Sequence, residues 1–152
     1  MMKVSDLMTS EPMTATESTS LLAVWERMNL ARIRHMPVVR GSRLVGLVSS
    51  RDVLAAAPSR LVDDDEQLAR EMLSRVPVSE VMKRDLITVQ PDTDLETVCD
   101  ELLERKIDCL PVVDEAGNLL GIVTASDFLK LARTLLQMTR RFETLGTDLT
   151  LP

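Results

Sequence analysis

Rings are almost absent from this chain of 152 residues: tyrosine does not occur, and Trp25, Phe128 and Phe142 are the only aromatic side chains. The 45% of residues that are apolar must therefore build an aliphatic, methionine-rich core. Histidine occurs once, at His35, and cysteine twice, at Cys99 and Cys109, without CxxC spacing. So little His and Cys argues against a nucleophilic triad and leaves no ligand cluster at zinc-like spacing. A glycine-rich phosphate loop is missing too. No apolar run approaches the roughly 18–20 residues of a membrane span. Met1-Met2-Lys3-Val4-Ser5-Asp6 lacks the apolar stretch of a signal peptide. The expectation is a cytoplasmic protein with no membrane association and reduced thiols. A net charge of −6 argues against a general grip on nucleic acid, which needs clustered Lys and Arg. A small anion in a local basic pocket remains compatible with it.

What the chain does have, it has twice. Val4-Ser5-Asp6-Leu7-Met8 returns as Val78-Ser79-Glu80-Val81-Met82, and Met36-Pro37-Val38-Val39 as Leu110-Pro111-Val112-Val113, both offset by 74 residues. Leu44-Val45-Gly46-Leu47-Val48-Ser49-Ser50-Arg51-Asp52 returns as Leu119-Leu120-Gly121-Ile122-Val123-Thr124-Ala125-Ser126-Asp127, offset by 75. The one-residue slip falls in a turn, where an insertion disturbs no packed face. A duplicated unit packs as a pseudo-symmetric pair, and the cleft between halves is a favoured ligand site.

Each copy opens with a short segment, then an extended stretch, Met13–Thr16 or Ile87–Gln90. A helix follows, with Leu21, Val24 and Met28 matched by Leu95, Val98 and Leu102 at i, i+3, i+7. Thr93-Asp94-Leu95-Glu96 fits a capping box at the start of the second of these helices. A hairpin comes next, turning through Arg40–Arg43 or Asp114–Asn118, on strands apolar enough to be covered on both faces. A second helix starts near Asp52 or Asp127. The unit reads as β-α-β-β-α, and the fold class as α/β (α+β), with two such repeats packed pseudo-symmetrically through their sheets. Between the copies, Asp63-Asp64-Asp65-Glu66 suits the solvated N-terminus of a connecting helix over about 63–75 better than a cation site. Residues after Arg140 carry weak pattern and are expected to pack on a partner or fray.

The paired x-Pro-Val-Val strands, the hairpin, the Gly-hydrophobic-hydrophobic-Ser/Thr-x-x-Asp run and the duplication together resemble a tandem CBS domain pair, the Bateman module that binds adenosine-containing ligands. The resemblance sets repeat 1 at residues 1–57, a linker at 58–77, repeat 2 at 78–137 and a tail at 138–152. It carries a ribose contact to Asp52 and Asp127, since a carboxylate accepts both hydroxyls of a ribose. Ser49 and Thr124 would meet phosphate or sugar oxygens. On their residues alone, Ser49-x-x-Asp52 and Thr124-x-x-Asp127 also fit capping boxes, and the two roles can coexist. Thr14 and Thr88 match positions near the nucleoside in the family, but a threonine is also simply a good strand residue. Met36-Pro37 and Leu110-Pro111 could line a purine face or pack in the core. Phosphate favours guanidinium. Repeat 1 has Arg34, His35 and Arg51 where repeat 2 has Asp108, Cys109 and Ser126, so the two clefts should not be equivalent.

The resemblance implies a stand-alone regulatory module rather than an enzyme. It needs no catalytic cofactor, takes an adenine nucleotide as regulatory ligand, and pairs with itself as a homodimer, a disk of four repeats. An unidentified protein target would read its state. A structural module with empty clefts, or a binder of S-adenosylmethionine, NAD or nucleic acid, is the alternative.

Overall fold

A computed structural model describes residues 1–57 and 66–146. In repeat 1, α1 (Val4–Leu7) and β1 (Thr9–Ser10) precede α2 (Leu21–Ala31), the hairpin β2 (His35–Arg40) and β3 (Arg43–Ser49), and α3 (Ser50–Ala56). After α4 (Glu66–Arg75), repeat 2 opens with a 3-10 turn at Val78–Glu80. It continues as α5 (Leu95–Arg105), β4 (Cys109–Val113), β5 (Leu119–Thr124) and α6 (Ala125–Gly146). Residues 63–65 of the expected connecting helix lie outside the described residues.

Local sequence accounts for most of these elements. Leu21, Val24 and Met28 are buried along α2, as are Leu95, Val98 and Leu102 along α5. Each helix ends in a left-handed residue, Arg32 or Lys106. The hairpins turn at glycines with positive φ, Gly41 and Gly117, a conformation that costs other residues about 1–2 kcal/mol. Both hairpins carry a register shift at the same place, between Val38 and Val39 and between Val112 and Val113.

Two expectations fail. Asp94 stands at the N-cap of α5 but makes no capping bond. Its Oδ1 instead accepts from Lys3 Nζ at 2.6 Å, while Thr93 Oγ1 accepts from the Gln90 amide. The hydroxyl that the box would have used is thus taken by a turn before the helix, which starts one residue later with Asp94 at its N-cap. The extended stretches before α2 and α5 do not form continuous strands. Each makes one parallel bridge, Ala15 with Val38 and Val89 with Val112, because each hairpin strand takes only two backbone bonds from it. α6 carries the first part of the expected tail as helix to Gly146, and residues 147–152 lie outside the described residues.

The opening segments change sides. Val4 lies in the core of repeat 2 with Leu95, Val98, Leu110 and Val112. Its amide donates to the Thr93 carbonyl at 2.9 Å, and β1 pairs antiparallel with β5. In return, Val78 and Met82 lie in the core of repeat 1 with Leu21, Val24 and Met36. The Val78 amide donates to the Thr19 carbonyl at 2.7 Å, and Lys83 and Leu47 exchange a backbone pair at 2.9 and 3.0 Å. The hairpin turns also meet, with the Leu119 amide donating to the Ser42 carbonyl. Two sheets result, β2-β3 and β1-β5-β4.

The close approach of β1 to β5 depends on Gly121. A Cβ there would sit 2.7 Å from the Thr9 carbonyl oxygen and 2.7 Å from Met8 Sδ. Backbone cannot swing aside, so Gly121→Ala is expected to destabilise the protein by about 1–3 kcal/mol in urea unfolding. Gly46→Ala, at the matching position, would meet only the flexible Met82 side chain and should cost less. Equal midpoints for the two variants would refute this account.

Candidate functional site

The two hairpins, the connections before them, the first turn of α3 and the stretch after the second exchanged segment line an open cavity of about 240 Å³. Repeat 1 supplies Arg34, His35, Ser49, Arg51 and Asp52 to its wall. Repeat 2 supplies Lys83, Asp85 and Ile87 from the segment after its opening turn, and Lys106, Asp108 and Cys109 from the α5–β4 connection. The cavity thus joins positions that the offset of 74 makes equivalent: Arg34 with Asp108, and His35 with Cys109.

Ser49 and Asp52 are held by the turn from β3 into α3. The Ser49 amide donates to Asp52 Oδ2 at 2.8 Å, and the Asp52 amide to Ser49 Oγ at 3.1 Å, a complete capping box. Asp52 Oδ1 has no hydrogen bond among the described residues. Asp52 therefore caps its helix through Oδ2 while standing on the cavity wall. The Ser50 amide donates to the Arg34 carbonyl at 2.8 Å, which fixes Arg34 beside the same turn.

The matching turn in repeat 2 is built alike. The Thr124 amide and hydroxyl donate to Asp127 Oδ2 at 2.9 and 3.1 Å, and the Ala125 amide donates to the Asp108 carbonyl. Asp127 is only 9% exposed and, with Thr124 and Ser126, does not line this cavity. Met36 and Leu110 are fully buried in their own cores. The Pro37 and Pro111 carbonyls are taken by the amides of Ala15 and Val89. Thr14 and Thr88 also stand off the wall, although Ile87, beside Thr88, is on it. Sequence reasoning missed Lys83, Asp85 and Lys106. These residues reach the cavity from the opposite repeat, and no motif marks them.

Four full cations, Arg34, Arg51, Lys83 and Lys106, face three carboxylates, Asp52, Asp85 and Asp108. Burial pushes the His35 imidazole below its ordinary value of 6.5, and Arg34 and Lys83 push the same way, against the opposing pull of Asp108 and Asp52. At neutral pH His35 is an uncharged wall group able to donate or accept. Burial, with the nearby Asp127 and Asp108 charges, pushes the Cys109 thiol up to about 12. That leaves no thiolate for chemistry. Among the described residues, no group of three or more His, Cys, Asp or Glu side chains is placed to hold a metal ion.

The CBS domain sequence pattern matches residues 4–59 and again residues 78–134. The chain belongs to the CBS domain family. Its fold is that of a CBS pair, close to the crystal structure of AcuB from Vibrio cholerae. The two are 35% identical with a TM-score of 0.76, over 93% of this chain and 97% of that one. The CBS pair of the protein MJ0100, in complex with 5′-methylthioadenosine and S-adenosyl-L-methionine, is 27% identical with a TM-score of 0.72, over 88% and 97%. CBSX2 in complex with AMP is 30% identical with a TM-score of 0.71, also over 88% and 97%. The chain spans under half the length of the first curated relatives it matches, 46% of an uncharacterised Methanocaldococcus jannaschii protein and 25% of a Methanocorpusculum labreanum homoserine O-acetyltransferase. Among the described residues, no helix is long and apolar enough to cross a membrane.

The CBS pair should reveal His35 in its acid response. A group whose folded pKa is depressed binds fewer protons in the native state than in the unfolded state, so stability rises with pH across its window. The His35 contribution is complete above about pH 6.5 and is lost as pH falls through its lower folded value. Urea unfolding between about pH 6.5 and 5 should show a decline that His35→Gln reduces. An unchanged slope in the variant would exclude burial of a neutral imidazole here.

Proposed function

We propose that this CBS pair is a non-catalytic regulatory module that binds an adenosine-containing nucleotide in the cavity between its repeats. The observation that carries the reading is Asp52 Oδ1, unused by the cap and beside a wall that both repeats build. A nucleoside seated there would meet Asp52 through its ribose hydroxyls and apolar side chains such as Ile87 and Ile107 through its base. Its phosphates would meet Arg34, Arg51, Lys83 and Lys106.

Charge discriminates among ligands of this class. Cations outnumber carboxylates four to three on the wall, which favours the anionic phosphates of AMP, ADP or ATP over the sulfonium of S-adenosylmethionine. Structures of relatives holding either kind of ligand support the class as a whole. A ligand that touches Arg51 and Lys106 at once favours one arrangement of the two repeats. Binding then shifts the population toward that arrangement, and a protein partner in the cytoplasm reads the change. No catalytic cofactor is needed.

The same reading includes a homodimer. Leu54 on α3 and Leu129 on α6 occupy matching positions and are 51% and 71% exposed. They would place equivalent apolar faces on one side of the pair for a two-fold contact.

Calorimetry with AMP, ADP, ATP, S-adenosylmethionine and NAD tests the site. The parent should give saturable heat with an adenine nucleotide, and Asp52→Ala should weaken it by roughly 1–3 kcal/mol. Thermal melting will separately register the lost cap, worth about 1 kcal/mol. Silence with every ligand would leave only a structural module. Binding by Asp52→Ala at parental affinity would remove the carboxylate from the site.

A further inference from the structure

The chain's only histidine, His35, stands half-buried on the cavity wall. It opens β2 and pairs with Ser49 across the hairpin, so the two side chains share one face of the ladder. Charged groups reach the same wall from each element that lines it. Arg34 precedes His35, and Arg51 and Asp52 come from the first turn of α3. Lys83 and Asp85 come from the stretch after the second opening segment, and Lys106 and Asp108 from the α5–β4 connection. Cys109, the counterpart of His35, stays a neutral thiol, pushed up to about 12 chiefly by burial. Imidazole is the side chain whose ordinary titration lies near neutrality. His35 is therefore the group on this wall suited to change its charge when a ligand arrives.

Burial is the main influence that keeps the free imidazole neutral, and Arg34 and Lys83 add to it by repulsion against the pull of Asp108 and Asp52. Among the described residues, none of Arg34, Arg51, Lys83 and Lys106 joins an ion pair. A phosphate seated among these cations would reverse the balance at His35. Its negative charge offsets the repulsion from Arg34 and Lys83 and adds to the attraction of the two carboxylates. An opposite charge within about 4–6 Å moves a titrating group by roughly one to three pH units. An unphosphorylated nucleoside brings no such charge.

We propose that His35 makes this site proton-linked: a phosphate bound among the wall cations draws a proton from solvent onto the imidazole, so phosphorylated ligands bind more tightly as pH falls toward neutrality. The inference rests on the nucleotide reading above. It adds the proton as a second regulator, and it adds a residue that separates phosphorylated from unphosphorylated ligands. The imidazolium so formed donates from both ring nitrogens, and the proton strengthens phosphate binding by the same factor as phosphate strengthens proton binding.

Proton NMR of the full chain without a histidine tag tests the linkage, because a single imidazole gives the signal. Without ligand, its ring protons should titrate below the ordinary 6.5. Saturation with the tightest-binding of AMP, ADP and ATP should raise that midpoint by at least about one pH unit, whereas adenosine should leave it in place. Calorimetry with the same nucleotide should show affinity rising several-fold, at most about tenfold, from about pH 8 to about pH 7. That range lies above the ionisation of the phosphate itself, near about pH 6. His35→Gln should flatten the rise. A midpoint unmoved or lowered in the saturated parent would overturn the linkage while the nucleotide reading stands. An equal rise in His35→Gln would assign the proton to another group and overturn it too. No saturable heat from any of the three nucleotides at either pH would overturn both readings.

Discussion

The exchange of opening segments holds the two repeats in one body. Val4 is a residue of the first repeat by sequence and of the second core by packing, and Val78 and Met82 make the reverse crossing. Burying a valine contributes about 1.5–3 kcal/mol, and Val4 and Val78 are both fully buried. Pulling the repeats apart would expose these side chains and open a hole in each core. It would also strand backbone donors such as the Val4 and Val78 amides, whose acceptors lie across the junction. The repeats are therefore interleaved rather than merely adjacent.

The cavity inherits its design from that interleaving. Lys83 stands on the wall because the segment that leads to it crosses into repeat 1 and pairs with Leu47. Asp52 stands there because a local capping box fixes the first turn of α3. One residue thus caps its helix through Oδ2 and stands on the cavity wall. The preorganisation is local, whereas the charge around it is assembled from both repeats.

Pseudo-symmetry does not make the halves equal. The turns at Asp52 and Asp127 share their hydrogen bonding almost bond for bond, yet Asp52 faces the cavity and Asp127 is buried away from it. Arg34 and His35 meet Asp108 and Cys109, their own counterparts, on the same wall. The sequence comparison set these residues in opposition as two unlike clefts. In three dimensions they are neighbours, because the junction between the repeats passes between them. The capping motif at Thr93-Asp94-Leu95-Glu96 fails for a local reason: Thr93 Oγ1 accepts from the Gln90 amide, and the helix starts one residue later.

Duplication, hairpins and buried helix faces were legible in the order of residues, because each depends on spacing within a few turns: Leu21, Val24 and Met28 repeat with the helix, and Gly41 and Gly117 turn where the strands must reverse. Only the tertiary structure decided which repeat each opening segment would fill, which carboxylate would face a cavity, and which lysines would join it. Those outcomes depend on contacts between residues far apart in the chain, whose partners are chosen by the fit of the whole core and leave no periodic mark on either segment.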